Sequence, residues 1–160
     1  GIVEMSLKRV NMWDERLRPP HQLSAGQKQR VALAGVLAMR PRCIVLDEAT
    51  SMLDPVGAKD VLAIVDELHR EGMTVISVTH KMEEATRAGR IIVMQGGRIV
   101  ADDPPPGVFS CHDLSRWHLS PPPAAALASK LRTRLSIPAS VFTLDGLVSV
   151  LDGISHRERG

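Results

Sequence analysis

The stretch Cys43-Ile44-Val45-Leu46-Asp47-Glu48-Ala49-Thr50-Ser51-Met52-Leu53-Asp54-Pro55 sets an unbroken apolar run against two acids and then a turn. An apolar run of this length, bounded by turn signals, reads as a buried strand of a parallel sheet, because a strand covered on both faces needs no polar alternation. Its carboxyl end is where such sheets place ligand groups, so Asp47 and Glu48 are candidates for holding a metal-bound nucleotide and orienting an attacking water. Solvation of an ordinary strand terminus accounts for the same two acids. Asp54-Pro55 is equally well explained as an N-cap with Pro in the first helical position.

Outward from this stretch the chain alternates. Apolar residues at Val61, Leu62, Val65 and Leu68 give a helix over 56–70, stopped at Gly72, and residues 73–78 read as a second buried strand. A short helix over 82–88 and two strands, 90–95 and 98–101, around Gly96-Gly97 come next, the glycine pair marking a hairpin. Upstream, residues 3–10 read as a helix that Pro19-Pro20 cannot continue, and a second helix from Leu23 to Pro41 carries Val31, Ala34 and Ala38 on one face. The fold class is therefore α/β, with parallel strands and helices. Pro104-Pro105-Pro106 marks a boundary, giving three segments: a main domain over 1–103, a Pro-rich linker over 104–123 and a small α-rich region over 124–160. In that last region Leu144, Leu147, Val148 and Leu151 form the expected apolar face.

Composition narrows the function classes. With 44% hydrophobic and 24% charged residues the chain has the make-up of an ordinary globular protein. A net charge of +2, with scattered Lys and Arg, gives no reason to expect a nucleic-acid partner. Cys43 and Cys111 have neither zinc nor redox spacing, which fits a reducing compartment. The first residues lack a signal peptide's charged and apolar regions, so nothing directs the chain outward; the missing initiator Met is a hint that a segment precedes them.

Two further places can carry chemistry. Leu23-Ser24-Ala25-Gly26-Gln27 opens a helix whose unpaired amides, the Ser24 hydroxyl and the small Gly26 suit a phosphate; a capped helix with a plain first turn is the alternative. His80 comes directly after the second strand, at the same carboxyl edge as Glu48, where an imidazole can hold a phosphate or a water; an exposed loop histidine is the alternative.

The order and spacing of these pieces carry what none does singly. LSAGQKQR (23–30) resembles the ABC ATPase signature, CIVLDEAT (43–50) the Walker B segment, SMLDP (51–55) the D-loop and VTHKMEEA (78–85) the switch-histidine loop. Within that family the wording RVALAGVLAMRP and DEATSMLDPVG is similar to the ATPase subunits of energy-coupling-factor importers, which take up vitamins and transition-metal ions. The resemblance implies a partial P-loop NTPase domain with a small C-terminal extension that contributes to contacts between two ATPases. It implies ATP and Mg2+ as ligands, with Asp47 holding the metal through water, Glu48 polarising the attacking water and His80 sensing the γ-phosphate. Ser24, Gly26 and Gln27 would reach the nucleotide bound by the opposite subunit, and Asp54 would link the two sites. The implied partners are a second ABC ATPase subunit, identical or not, a transmembrane coupling subunit and a substrate-binding membrane subunit, with the protein peripheral on the cytoplasmic membrane face.

Departures from the family pattern shape the expectation. No GxxxxGK[ST] occurs, and that P-loop supplies most of the grip on the β- and γ-phosphates, so this polypeptide alone is expected not to hydrolyse ATP. The positions matching the catalytic pattern are intact, which points to a shortened sequence rather than a decayed one. Without the N-terminal strands, the sheet is expected to expose an edge and part of its apolar face. Ala25 replaces the first glycine of the commoner LSGGQ; a helical residue 25 makes that change harmless, whereas a positive φ would strain it. Two rival readings are a non-catalytic module that completes a partner's site and a chromosome-maintenance ATPase, the latter disfavoured because no heptad run is present.

Overall fold

Helices α1 (Ile2–Arg9), α2 (Ala25–Ala38) and α3 (Pro55–Arg70) pack on one face of a parallel strand pair, β1 (Cys43–Asp47) and β2 (Thr74–Val78). This is a computed structural model that describes residues 1–111 and 114–157. The described residues fall into two units, one ending at Val78 and one beginning at Thr79.

In the first unit, β1–α3–β2 is the expected βαβ element, in register from Cys43 opposite Thr74 to Asp47 opposite Val78. The core gathers Val10, Met12, Leu23, Leu33, Ala34, Leu37, Ile44, Ile64 and Leu68. The α3 face is close to its sequence expectation: Val61, Val65 and Leu68 are buried, and Ile64 takes the place given to Leu62. On α2 the buried face is Leu33, Ala34 and Leu37, while Val31 is exposed. From Val31 onward that helix carries no polar side chain, so its own periodicity does not select a face there and packing against α1 and α3 does.

The strands depart from the expectation of burial on both faces. Ile44 is buried and Leu46 and Val75 are half-buried against the helices, but Val45, Ile76 and Val78 are 64%, 51% and 51% exposed. Alternation along a strand sends successive side chains to opposite faces, and only one face of this pair is covered among the described residues. The uncovered face is apolar.

In the second unit, α4 (Met82–Ala85) precedes an antiparallel hairpin of β3 (Ile91–Gln95) and β4 (Arg98–Asp103). Gly96 and Gly97 both have positive φ, +56° and +75°, the backbone a two-residue hairpin turn demands. Arg90 grips Asp102 with two hydrogen bonds of 2.6 Å, Nε to Oδ1 and Nη2 to Oδ2, and the guanidinium holds that carboxyl below its ordinary range.

The 104–123 stretch is not an extended linker. It holds helix α5 (Pro105–Cys111) and a 3₁₀ turn at Leu114–Trp117, and Val108 and Leu114 are buried with Val93 and Ala101 of the hairpin. Proline breaks a helix interior but is well placed in a first turn, where its missing N–H costs nothing. Helices α6 (Pro123–Leu131) and α7 (Leu144–Arg157) complete the unit, with Ala128, Ile137, Val141 and Leu147 as their core. On α7 the packed residues are Leu147, Val150, Leu151 and Ile154, whereas Leu144 and Val148, expected to be inside, are 67% and 49% exposed.

Candidate functional site

Asp47 ends β1, exposed at the carboxyl edge of the strand pair, and Glu48 comes next with φ +45°. An L-residue in that left-handed region costs on the order of 1–2 kcal/mol and persists only where neighbours hold it. Here they do. The Glu48 N–H donates to the Val78 carbonyl at the end of β2 (2.9 Å), while the Glu48 carbonyl accepts from the Ser51 N–H (3.0 Å) and from Ser51 Oγ (2.9 Å). The backbone of the candidate catalytic acid is thus pinned on both sides. The sequence carries no sign of this, since Gly or Asn is the usual occupant of such a conformation.

The signature and D-loop segments meet through their helix starts. Ser24 caps α2 in a reciprocal box: its Oγ accepts from the Gln27 N–H (3.2 Å) and Gln27 Oε1 accepts from the Ser24 N–H (2.9 Å). This leaves the serine hydroxyl hydrogen and the glutamine NH₂ as donors, a set suited to an anion. Ala25 is the first residue of α2 and lies outside the positive-φ region, so its methyl group is harmless. Asp54 caps α3, its Oδ1 accepting from the Gly57 N–H at 2.9 Å, with Pro55 in the first helical position. Gly26 is buried, and a Cβ built on it would lie 3.2 Å from the Gly57 Cα.

His80 is exposed and belongs to the second unit, in a loop fixed on both sides of it. Thr79 Oγ1 donates to Glu84 Oε2 (3.1 Å) and accepts from the Lys81 N–H (3.0 Å), and Lys81 Nζ lies 3.5 Å from Glu84 Oε1. Glu84 was not singled out by sequence reasoning; its signal is an acid in the first turn of the helix after Thr79 and His80.

As to ligands, Mg2+ takes one or two protein carboxylates and completes its shell with waters and phosphates. Asp47 fits that modest demand. Among the described residues no group of three or more His, Cys, Asp or Glu side chains could hold a metal, so a metal at Asp47 would depend on phosphate oxygens as well.

Comparison with known proteins agrees with this arrangement. A family profile described as ABC transporter matches residues 2–51. The energy-coupling factor transporter ATP-binding protein EcfA1 of Symbiobacterium thermophilum is 50% identical over 152 residues, covering 93% of this chain and 53% of that protein. Its counterpart in Bacillus subtilis is 49% identical over 152 residues, covering 93% of this chain and 54% of that protein. Among solved structures, cbiO1 from Clostridium perfringens, described as part of the ABC transporter complex cbiONQ, matches with a TM-score of 0.63 at 32% identity, over 84% of this chain and 49% of that one. The ADP conformation of MJ1267, an ATP-binding cassette of an ABC transporter, matches with a TM-score of 0.66 at 24% identity, over 72% of this chain and 48% of that one, and shows the fold alone. The chain spans about half the length of the curated relatives it matches. With the signature, Walker B, D-loop and switch-histidine segments in order on a βαβ framework, and with these likenesses, the chain belongs to the ABC transporter ATPase family.

Proposed function

We propose that the chain is the hydrolytic and signature-bearing part of an ATPase subunit that drives an energy-coupling-factor type importer for vitamins or transition-metal ions. The observation that carries this reading is the pinned Glu48: an acid held in a strained backbone conformation at the carboxyl edge of a parallel strand pair, directly after Asp47. Strain of this kind is kept where a side chain must be aimed.

In this reading Glu48 accepts a hydrogen bond from the attacking water and draws on its proton as the oxygen approaches the γ-phosphorus of ATP. His80 donates to a γ-phosphate oxygen, and Asp47 would hold Mg2+. When bound there, that ion would supply charge neutralisation on the phosphates. Ser24, Gly26 and Gln27 face the nucleotide of a second ATPase subunit, and Asp54 connects the two sites. No covalent intermediate is required; positioning and charge stabilisation suffice for phosphoryl transfer. The P-loop that grips the phosphates is absent from residues 1–160 and is assigned to the remainder of a longer protein.

The same reading supplies the partners: a second ATPase, a transmembrane coupling subunit and a substrate-binding membrane subunit, with this protein peripheral on the cytoplasmic face. Among the described residues no helix is long and apolar enough to cross a membrane. Affinity purification of the full-length protein from its native membrane is expected to bring down both kinds of membrane subunit. Recovery free of any membrane protein would sink the assignment.

A further inference from the structure

Helices α2 and α3 approach at their first turns through two glycines, and that contact ties the signature to the D-loop. Gly26 is buried, and a Cβ there would meet the Gly57 Cα at 3.2 Å, backbone that yields only if the helices part by a few tenths of an ångström. A Cβ on Gly57 would come within 2.8 Å of Asp54 Oδ1, the oxygen that caps α3, and 3.5 Å from the Gly26 Cα. Nothing in the local backbone demands glycine at position 57: it lies inside α3 and outside the positive-φ set, where Ala is the better helix former by roughly 1 kcal/mol. What a side chain at 57 would meet is the Asp54 carboxylate, which would have to leave its capping position. The side chains of Arg30 on α2 and Asp60 on α3, at 3.6 Å, lie across the same pair of helices one turn further on.

We propose that Gly57 is a positioning residue: its lack of a Cβ leaves the Asp54 carboxylate room to cap α3 beside the Gly26 turn, so that the D-loop cap keeps its register with the signature start. This rests on the functional reading above and deepens it, assigning a role to a residue outside the four recognised motifs. A methyl group at 57 pushes on the Asp54 carboxylate that caps α3 and meets the Gly26 Cα at an ordinary van der Waals distance, while Asp47 and Glu48 are not among its neighbours. Nucleotide grip should therefore survive and the step that needs both segments in register should not.

The test is MgATP hydrolysis by the full-length protein carrying Gly57→Ala. The expected result is a fall in kcat of about tenfold or more, the scale of a sub-ångström to ångström misplacement, with KM within about twofold and the melting temperature unchanged. A merely structural role would lower the melting temperature and leave kcat of the folded fraction alone. Wild-type kcat in folded Gly57→Ala overturns the proposal. If that variant does not fold, Asp60→Arg carries the test by setting two cations across the same contact. A reduced kcat that recovers in Arg30→Asp/Asp60→Arg supports the proposal; unchanged kcat in Asp60→Arg overturns it. Absence of hydrolysis by the wild-type full-length protein would instead be a failure of the functional reading.

Discussion

Glu48→Gln in the full-length, P-loop-containing protein is expected to lower the turnover of MgATP by at least about 100-fold, the usual contribution of a positioned base. Nucleotide binding and the melting temperature should hardly change. Gln keeps the length and shape of the side chain and can sit in the same left-handed backbone, which the main-chain bonds from Glu48 to Val78 and Ser51 hold in place. The substitution therefore removes the charge and acceptor strength aimed at the water without disturbing the turn. Steady-state hydrolysis alongside equilibrium binding of MgATP measures the two quantities separately. Unchanged turnover would remove Glu48 from the role given to it.

The second large effect is expected on the uncovered face of the β1–β2 pair. Parallel strands are ordinarily covered on both faces, and Val45, Ile76 and Val78 form an apolar surface on a sheet whose relatives are about twice as long as this chain. If the remainder of the protein covers that surface, Ile76→Asp should cost the full-length protein about 3–5 kcal/mol, the penalty of an unpaired buried charge. In the isolated 160-residue chain the same change should alter stability by less than about 0.5 kcal/mol and reduce self-association, since it places a charge on an exposed apolar patch. Urea titration of both forms, with sedimentation of the short one, separates the outcomes. Equal and small effects in both would show that the face stays open.

Much of the arrangement was legible in the residues, and the exceptions have a common cause. The α3 face was legible because apolar and polar residues alternate at helical spacing there, and the Gly96-Gly97 turn because two adjacent positive-φ positions favour glycine. The caps at Ser24 and Asp54 are local, so sequence reasoning reached them; a cap needs only the next three residues. The α2 face was not legible, since Val31, Leu33, Ala34, Val36 and Leu37 leave no polar side and only neighbouring helices decide which go in. Proline at 104–106 read as a break because proline starts a helix only where the residues after it find a surface to pack on, here Val108 against the hairpin. The left-handed Glu48 and the Gly26–Gly57 approach depend on partners 30 residues away along the chain or more (Val78 for Glu48, Gly57 for Gly26), and no local pattern encodes such contacts. The residue types of the candidate site could thus be named from the sequence, whereas its backbone geometry could not.

The measurement closest to the central claim is steady-state MgATP hydrolysis by the 160-residue chain beside the full-length protein, at equal molar concentration. If Asp47, Glu48 and His80 act on a nucleotide whose phosphates are gripped by a P-loop outside this chain, turnover appears only in the full-length protein. Turnover by the 160-residue chain at the full-length rate would contradict that account.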